Sequence, residues 1–165
     1  MSRPSGQDDV IPLTISERIL YSTRLGVGER IALNGQFRTY YKLIDGKCKL
    51  MITVLVQNLC EPSGENPNRV ELVGHICEPP IHRTAPSDRE ICDLLIGVDR
   101  LYYKTDYIPC IAFGENARLA KTAKVEQPVV VQGKFQSRKY VEEHSENDTG
   151  SEYVLSIDKM ILEEK

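Results

Sequence analysis

Apolar and polar residues alternate with a period of two in several short segments, the signature of strands with one buried face. Val70, Leu72, Gly74 and Ile76 alternate with Glu71, Val73 and His75, which predicts a first strand. The stretch from Glu78 to Asp88 holds Pro79, Pro80 and Pro86 and predicts turns. An apolar run from Ile91 to Val98 predicts a buried second strand, and Asp106 to Phe113 a third. After Gly114, the spacing of Ala117, Leu119 and Ala120 predicts a helix of about two or three turns over Glu115 to Ala123. Val129 to Tyr140 and Tyr153 to Ile161 predict strands four and five, joined by an acidic loop. Three strands, a short helix and two more strands is the order in which an OB barrel is built, the helix plugging one end. Other five-stranded barrels share much of that order, so the pattern alone leaves them open.

An internal repeat extends the reading toward the N-terminus. Asp9, Ile11 and Pro12 recur 97 positions later as Asp106, Ile108 and Pro109, and Gly35 and Phe37 recur 98 positions later as Gly133 and Phe135. ERIALNGQFRTYYKL stands over QPVVVQGKFQSRKYV, and LMITVLVQNL over YVLSIDKMIL once the intervening loop is shortened by five residues. Arg3 falls on Arg100 in the same frame. The expected fold is therefore all-β: residues 1–60 form a partial OB repeat equivalent to strands three to five, 61–67 (EPSGENP) a linker, and 68–165 a complete five-stranded OB barrel with a short helix. A half barrel has an unpaired edge. That edge calls for packing on the second barrel, pairing with another chain, or upstream strands lost because Met1 is an internal start; the match begins in mid-strand, which favours the last.

Composition narrows the function classes. The chain has no run of about 18 apolar residues and no basic end followed by an apolar core, so neither a membrane span nor a secretory signal is expected and the cytoplasm is the default compartment. Five scattered cysteines (Cys48, Cys60, Cys77, Cys92, Cys110) contain no CxxC pair, which argues for reduced packing residues rather than disulfides or zinc. A net charge of −3 excludes a binder of nucleic acid that works by bulk positive field, so any such binding needs a local face. The charge is uneven, with Glu142, Glu143, Glu146, Asp148 and Glu152 crowded into the acidic loop. Catalysis finds no support: His75 and Cys77 share a strand face without further ligands, His82 lies in the Pro-rich turn with no carboxylate beside it, and Asp93 and Asp99 lack an acid–base spacing. Gly26, Gly28 and Gly35 are turn or bulge glycines rather than a phosphate-binding loop. No cofactor and no metal are expected.

The motifs N-x-V-x-L-x-G (from Asn68), P-x-x-R-T-x-P-S (from Pro80), a buried strand ending in V-x-R (Val98 to Arg100), D-Y-I-P-x-I-A-F-G (from Asp106) and V-x-G-K-F-Q-S-R-K-Y (from Val131) follow one another in order. That order resembles the bacterial single-stranded DNA-binding protein family, over nearly all of Asn68 to Leu162. With T-I-S-E-R-I-L (from Thr14) in the first copy, the whole looks like a tandem two-barrel variant from Gram-positive bacteria and their phages, its first copy truncated. The resemblance implies that Tyr102, Tyr107, Phe113 and Tyr140 stack on bases, the sequence-tolerant contact that single strands offer. It also implies that Arg83, Arg100, Lys104, Lys134 and Arg138 hold phosphates, Tyr140 sharing strand parity with Lys134 and Arg138. Two departures stand out. The chain has no Trp, which predicts weaker stacking per contact, and Glu163, Glu164 and Lys165 directly follow strand five where the family carries an acidic recruiting tail.

The expected function is a non-catalytic single-stranded-DNA binder that coats unwound DNA in replication, recombination or repair, near the nucleoid. It is expected to be a homo-oligomer, dimer or tetramer, built through the outer face of strand one, with replication or repair proteins as further partners. The alternative is a docking module that keeps the OB scaffold without binding nucleic acid. RNA binding is a third reading, since stacking does not distinguish the sugars.

Overall fold

The computed structural model describes residues 9–62, 68–141 and 149–164, with side chains at all of these except 138–141 and 149–151. The chain divides into two compact units, Met1–Pro67 and Asn68–Lys165.

In the first unit, β1 (Leu13–Thr14), α1 (Glu17–Thr23), β2 (Ala32–Ile44) and β3 (Lys47–Cys60) follow in order. The sheet order is β1-β3-β2, β1 running parallel and β2 antiparallel to β3. Asp45 and Gly46 turn β2 into β3 with φ of 50° and 79°. Positive φ at both positions is what a two-residue turn matched to strand twist requires, and Asp-Gly accepts it at least cost. The helix α1 was not expected from the sequence. Its start is set by Ser16, whose hydroxyl accepts a hydrogen bond from the Ile19 N–H, with Glu17 in the first turn.

The second unit runs β4 (Val70–Ile76), β5 (Ile81–Thr84), β6 (Glu90–Arg100), a 3-10 turn (Leu101–Tyr103), β7 (Lys104–Phe113), α2 (Glu115–Lys121), β8 (Pro128–Val141) and β9 (Thr149–Leu162). Antiparallel ladders join β4 to β8, β8 to β9 and β6 to β7, while β7 and β9 pair in parallel. The pairing of His75 and Ile76 with Gly97 and Ile96 closes the circuit β4-β6-β7-β9-β8-β4. This closed five-stranded circuit is the expected OB barrel. Ile76, Leu94, Ile96, Ile108, Cys110, Val129, Val131, Phe135, Leu155 and Ile157 fill its interior. Asn68 fastens the entry of β4, its amide donating to the Phe135 carbonyl at 2.7 Å and accepting from the Phe135 N–H at 3.0 Å.

Some boundaries differ from the sequence reading. The turn-rich stretch conceals β5, which pairs with Glu90–Asp93 of β6, so the turn shrinks to Ala85–Asp88. Pro79 and Pro80 fall in the break between β4 and β5, where missing N–H groups cost no ladder bond. The helix α2 stops at Lys121; Ala117 and Ala120 are buried, whereas Leu119 is 38% exposed. The acidic loop at 142–148, Arg3 and linker residues 63–67 lie outside the described residues.

The two units share a hairpin irregularity. A register shift falls between Asn34 and Gly35 in one and between Gln132 and Gly133 in the other. A Cβ on Gly35 would lie 2.5 Å from the Leu55 carbonyl oxygen, and one on Gly133 would collide with the Ser156 carbonyl, so both positions need glycine. Gly35 faces Val56 as Gly133 faces Ile157, and Leu13 faces Val54 as Cys110 faces Leu155. The last strands are thus offset by 101 positions, and the loop shortens by three residues rather than five. Letter matching slipped by two because a period-two apolar pattern matches itself equally well at that shift.

Candidate nucleic-acid interface

Strand β7 sorts its side chains by parity. Asp106, Ile108 and Cys110 point into the barrel, and Tyr107, Pro109, Ile111 and Phe113 lie on its outer face. On that face Ile111 stands opposite Asp93 of β6 on one side and Ser156 of β9 on the other, and Ser156 stands opposite Lys134 of β8. Arg83 of β5 reaches Asp93, Nε to Oδ2 at 2.9 Å. The sheet thereby brings Arg83 and Lys134, 51 residues apart in sequence, to either side of β7, with Ile111 between them by register but itself buried.

Rings stand on β7 on either side of Ile111. Tyr107 is half-buried opposite Gly97, the one residue type that leaves room there: a Cβ on Gly97 would meet Cys77 Sγ at 2.6 Å and His75 Nε2 at 2.9 Å. Phe113 is also half-buried, with the Arg89 guanidinium 4.1 Å above its ring centroid. Arg89 takes one face of that ring and adds a cation to it. Six residues separate Tyr107 from Phe113, about 20 Å along a strand.

Beyond Tyr107 the β6–β7 hairpin ends in a tip of exposed apolar side chains. Leu101, Tyr102 and Tyr103 are 83%, 89% and 106% exposed. Tyr102 and Tyr103 both hold positive φ, 66° and 61°, a left-handed conformation that costs a non-glycine residue about 1 kcal/mol or more and persists only where the surroundings enforce it. Two cross-strand links enforce it here. Thr105 Oγ1 donates to Asp99 Oδ1 at 2.8 Å, and Arg100 Nε lies 2.8 Å from Oδ2 of the buried Asp106 as an ion pair. The pair lacks hydrogen-bond alignment at Nε, so it acts through charge.

A closed barrel with an outward band of rings and cations, ending in an exposed aromatic tip, is the arrangement of an OB-fold binder of single strands. The model of the single-strand binding protein family matches residues 67–162. The chain belongs to that family. It is a family of DNA binders rather than enzymes. Among solved structures, wild-type single-stranded DNA binding protein from Thermus aquaticus aligns with a TM-score of 0.67 at 17% identity, covering 82% of this chain. A deletion mutant of the same Thermus aquaticus protein aligns with a TM-score of 0.77 at 18% identity, covering 100% of this chain and 78% of its own. At these identities the likeness is one of fold, and the chain spans 59% of the length of the wild-type Thermus aquaticus chain. No curated protein sequence matches the chain.

Within this family member the expected contact residues separate into groups. Tyr107, Phe113, Arg83 and Lys134 share the outer face. Tyr102 and Lys104 sit at the tip, Lys104 exposed. Arg100 is turned to Asp106 and serves the hairpin base; Arg83 lies on strand β5, not in the turn, and is held by Asp93. Arg138 and Tyr140 stand on β8 opposite Glu152 and Gly150, their side chains outside the described residues. Sequence reasoning passed over Arg89, because only the register shows that the residue before β6 reaches the ring at the end of β7, and left Tyr103 aside although its exposure exceeds that of Tyr102. His82 does have a carboxylate near it, Glu90 at 3.9 Å, brought there by the β5–β6 pairing.

Cys77, Cys92 and Cys110 all have thiol pKa values pushed up by burial, Cys77 additionally by Glu126, Glu78 and Asp99. They are therefore poor nucleophiles. Among the described residues no group of three His, Cys, Asp or Glu side chains is placed to hold a metal ion, and no helix is long and apolar enough to cross a membrane.

Proposed function

We propose that the second unit holds single-stranded DNA across the outer face of β6, β7, β9 and β8, the tip tyrosines extending the track. The observation that carries this reading is the pair of half-buried rings on the outer parity of β7, Tyr107 and Phe113, with Arg83 on β5 to one side and Lys134 on β8 to the other. Rings stack on bases irrespective of sequence and cations neutralise phosphates, so coating is stoichiometric and needs no chemistry. Strand parity with Lys134 assigns Tyr140 and Arg138 of β8 as further contacts in this reading. The role is protection of unwound DNA in replication, recombination or repair, at the nucleoid, by a homo-oligomer that uses the outer face of β4, where Val73 is 64% exposed.

The test is fluorescence anisotropy of the folded chain with labelled oligo-dT, against duplex DNA and RNA of equal length, at two salt concentrations. Preference for the single DNA strand, weakened by salt, supports the reading. A folded protein that binds none of the three at either salt sinks it and leaves the OB scaffold as a docking module. Sedimentation velocity of the same sample reports the oligomeric state.

A further inference from the structure

Among the described residues, the first unit has counterparts of β7, α2, β8 and β9 and none of β4 or β6. We propose that this unit is a strand acceptor: an extended segment of another polypeptide, apolar at every second position, adds antiparallel to the free edge of β2 and covers the face that β4 and β6 cover in the second unit.

The duplication itself says what is missing. Leu13 faces Val54 as Cys110 faces Leu155, and Gly35 faces Val56 as Gly133 faces Ile157, so β1, β2 and β3 stand where β7, β8 and β9 stand. In the second unit β8 is paired on both sides: β9 lies along one edge, and on the other Val129, Val131 and Gly133 pair with Gly74, Leu72 and Val70 of β4. In the first unit β3 lies along one edge of β2, and among the described residues no strand pairs with the other. Such an edge presents N–H and C=O groups that template a further strand.

Burial records the same gap. The residues 98 positions before Val129 and Val131 are Ile31 and Leu33. Val129 is 1% exposed and Val131 fully buried, whereas Ile31 is 36% exposed and Leu33 half-buried. The buried apolar side chains among the described residues of the first unit are Ile52 and Val56. Helix α2 buries Ala117 and Ala120 against a barrel that includes β5 and β6, while α1 has no buried residue. A cavity of about 700 Å³ opens instead between α1 and the end of β3, lined by Ile19, Thr23, Gln57 and Leu59 among others.

The strand to be replaced defines the occupant's chemistry. In β4, Leu72 and Ile76 are buried while Glu71 and Val73 are exposed, so the incoming segment must alternate in the same way. A second copy of this chain has no such strand to lend. Its β4, β6, β7, β8 and β9 are each paired on two sides, β5 has only four residues, and its first unit lacks the same two strands. The occupant is therefore a different polypeptide, bound by strand addition, in which main-chain hydrogen bonds supply affinity and the pockets for alternate side chains supply selectivity.

The experiment adds a labelled synthetic peptide with the sequence of residues 68–100, which carries β4 and β6, to the full chain, and follows anisotropy and amide hydrogen exchange. The expected result is saturable binding that slows exchange across Ala32–Gly35. Binding should weaken by at least about tenfold when the peptide carries Leu72→Asp or the chain carries Leu33→Asp, because an inward carboxylate is buried without a partner. The exchange measurement uses the unaltered chain and so stands whether or not Leu33→Asp folds. A peptide that leaves exchange across Ala32–Gly35 unchanged overturns the proposal, as does an edge already protected without peptide. Concentration-dependent sedimentation of the chain alone that Leu33→Asp abolishes also overturns it, and makes the edge a contact between copies.

Discussion

Arg100 and Asp106 face each other at the base of the β6–β7 hairpin, Nε 2.8 Å from Oδ2, the aspartate side chain 3% exposed and the arginine 28%. Removing either partner leaves the other in a site built for a pair. Arg100→Ala is expected to cost about 2 to 3 kcal/mol in urea unfolding, the lower end for a broken buried pair because the arginine is partly wet. Its salt dependence of oligonucleotide binding should match wild type. A variant that keeps full stability but loses one phosphate from the salt slope would show that Arg100 serves the ligand instead.

The tip above that pair separates binding from stability. Tyr102 and Tyr103 are almost wholly exposed, so Tyr102→Ala and Tyr103→Ala should leave the melting temperature within about a degree or two of wild type, as surface substitutions do. Oligo-dT affinity should fall by about 1 to 3 kcal/mol for whichever ring stacks. Replacing either tyrosine by glycine relieves the positive φ and should raise stability slightly, by about 1 kcal/mol at most, while lowering affinity. Unchanged affinity in all of these would remove the tip from the binding surface.

Gly133→Ala and Gly35→Ala probe the shared bulge. In both, the new methyl meets a backbone carbonyl rather than a movable side chain, so the strand pair itself must shift. Each substitution should cost about 2 kcal/mol or more, as overpacking does. Chemical denaturation of the full chain checks this, and tolerance at either site would contradict the register described for that hairpin.

The cysteines give a pH dependence with a defined sign. Cys110 ionises with difficulty in the folded barrel because it is buried, whereas an unfolded cysteine titrates near about 8.5. Below that pH both states hold the proton and stability is unaffected. Above it the unfolded chain binds fewer protons than the folded one, so stability falls by about 1.4 kcal/mol per pH unit for each such thiol. Unfolding midpoints measured from pH 7 to 10 should decline, and Cys110→Ala should decline less. In the native state, Cys48 and Cys60 should react with a thiol reagent long before Cys92 and Cys110 do.

Alternation of apolar residues located nearly every strand of the second unit, because a half-buried strand must alternate and Val70–Ile76 or Asp106–Phe113 cannot satisfy a core any other way. The repeat was legible for the same reason: Gly35 and Gly133 sit where a carbonyl crosses close to the chain, and only glycine fits. What the letters left open were the relations that register decides. Ile81–Thr84 is too short and too close to proline to read as a strand until β6 pairs with it. Arg100 and Arg83 look like free cations in the sequence and are tied to Asp106 and Asp93 only by strands folding side by side. The residues by themselves determined which elements form and which chemistry is present; which side chains share a face, and which are already engaged, was decided by hydrogen-bond register, since a shift of one residue turns every side chain to the other face.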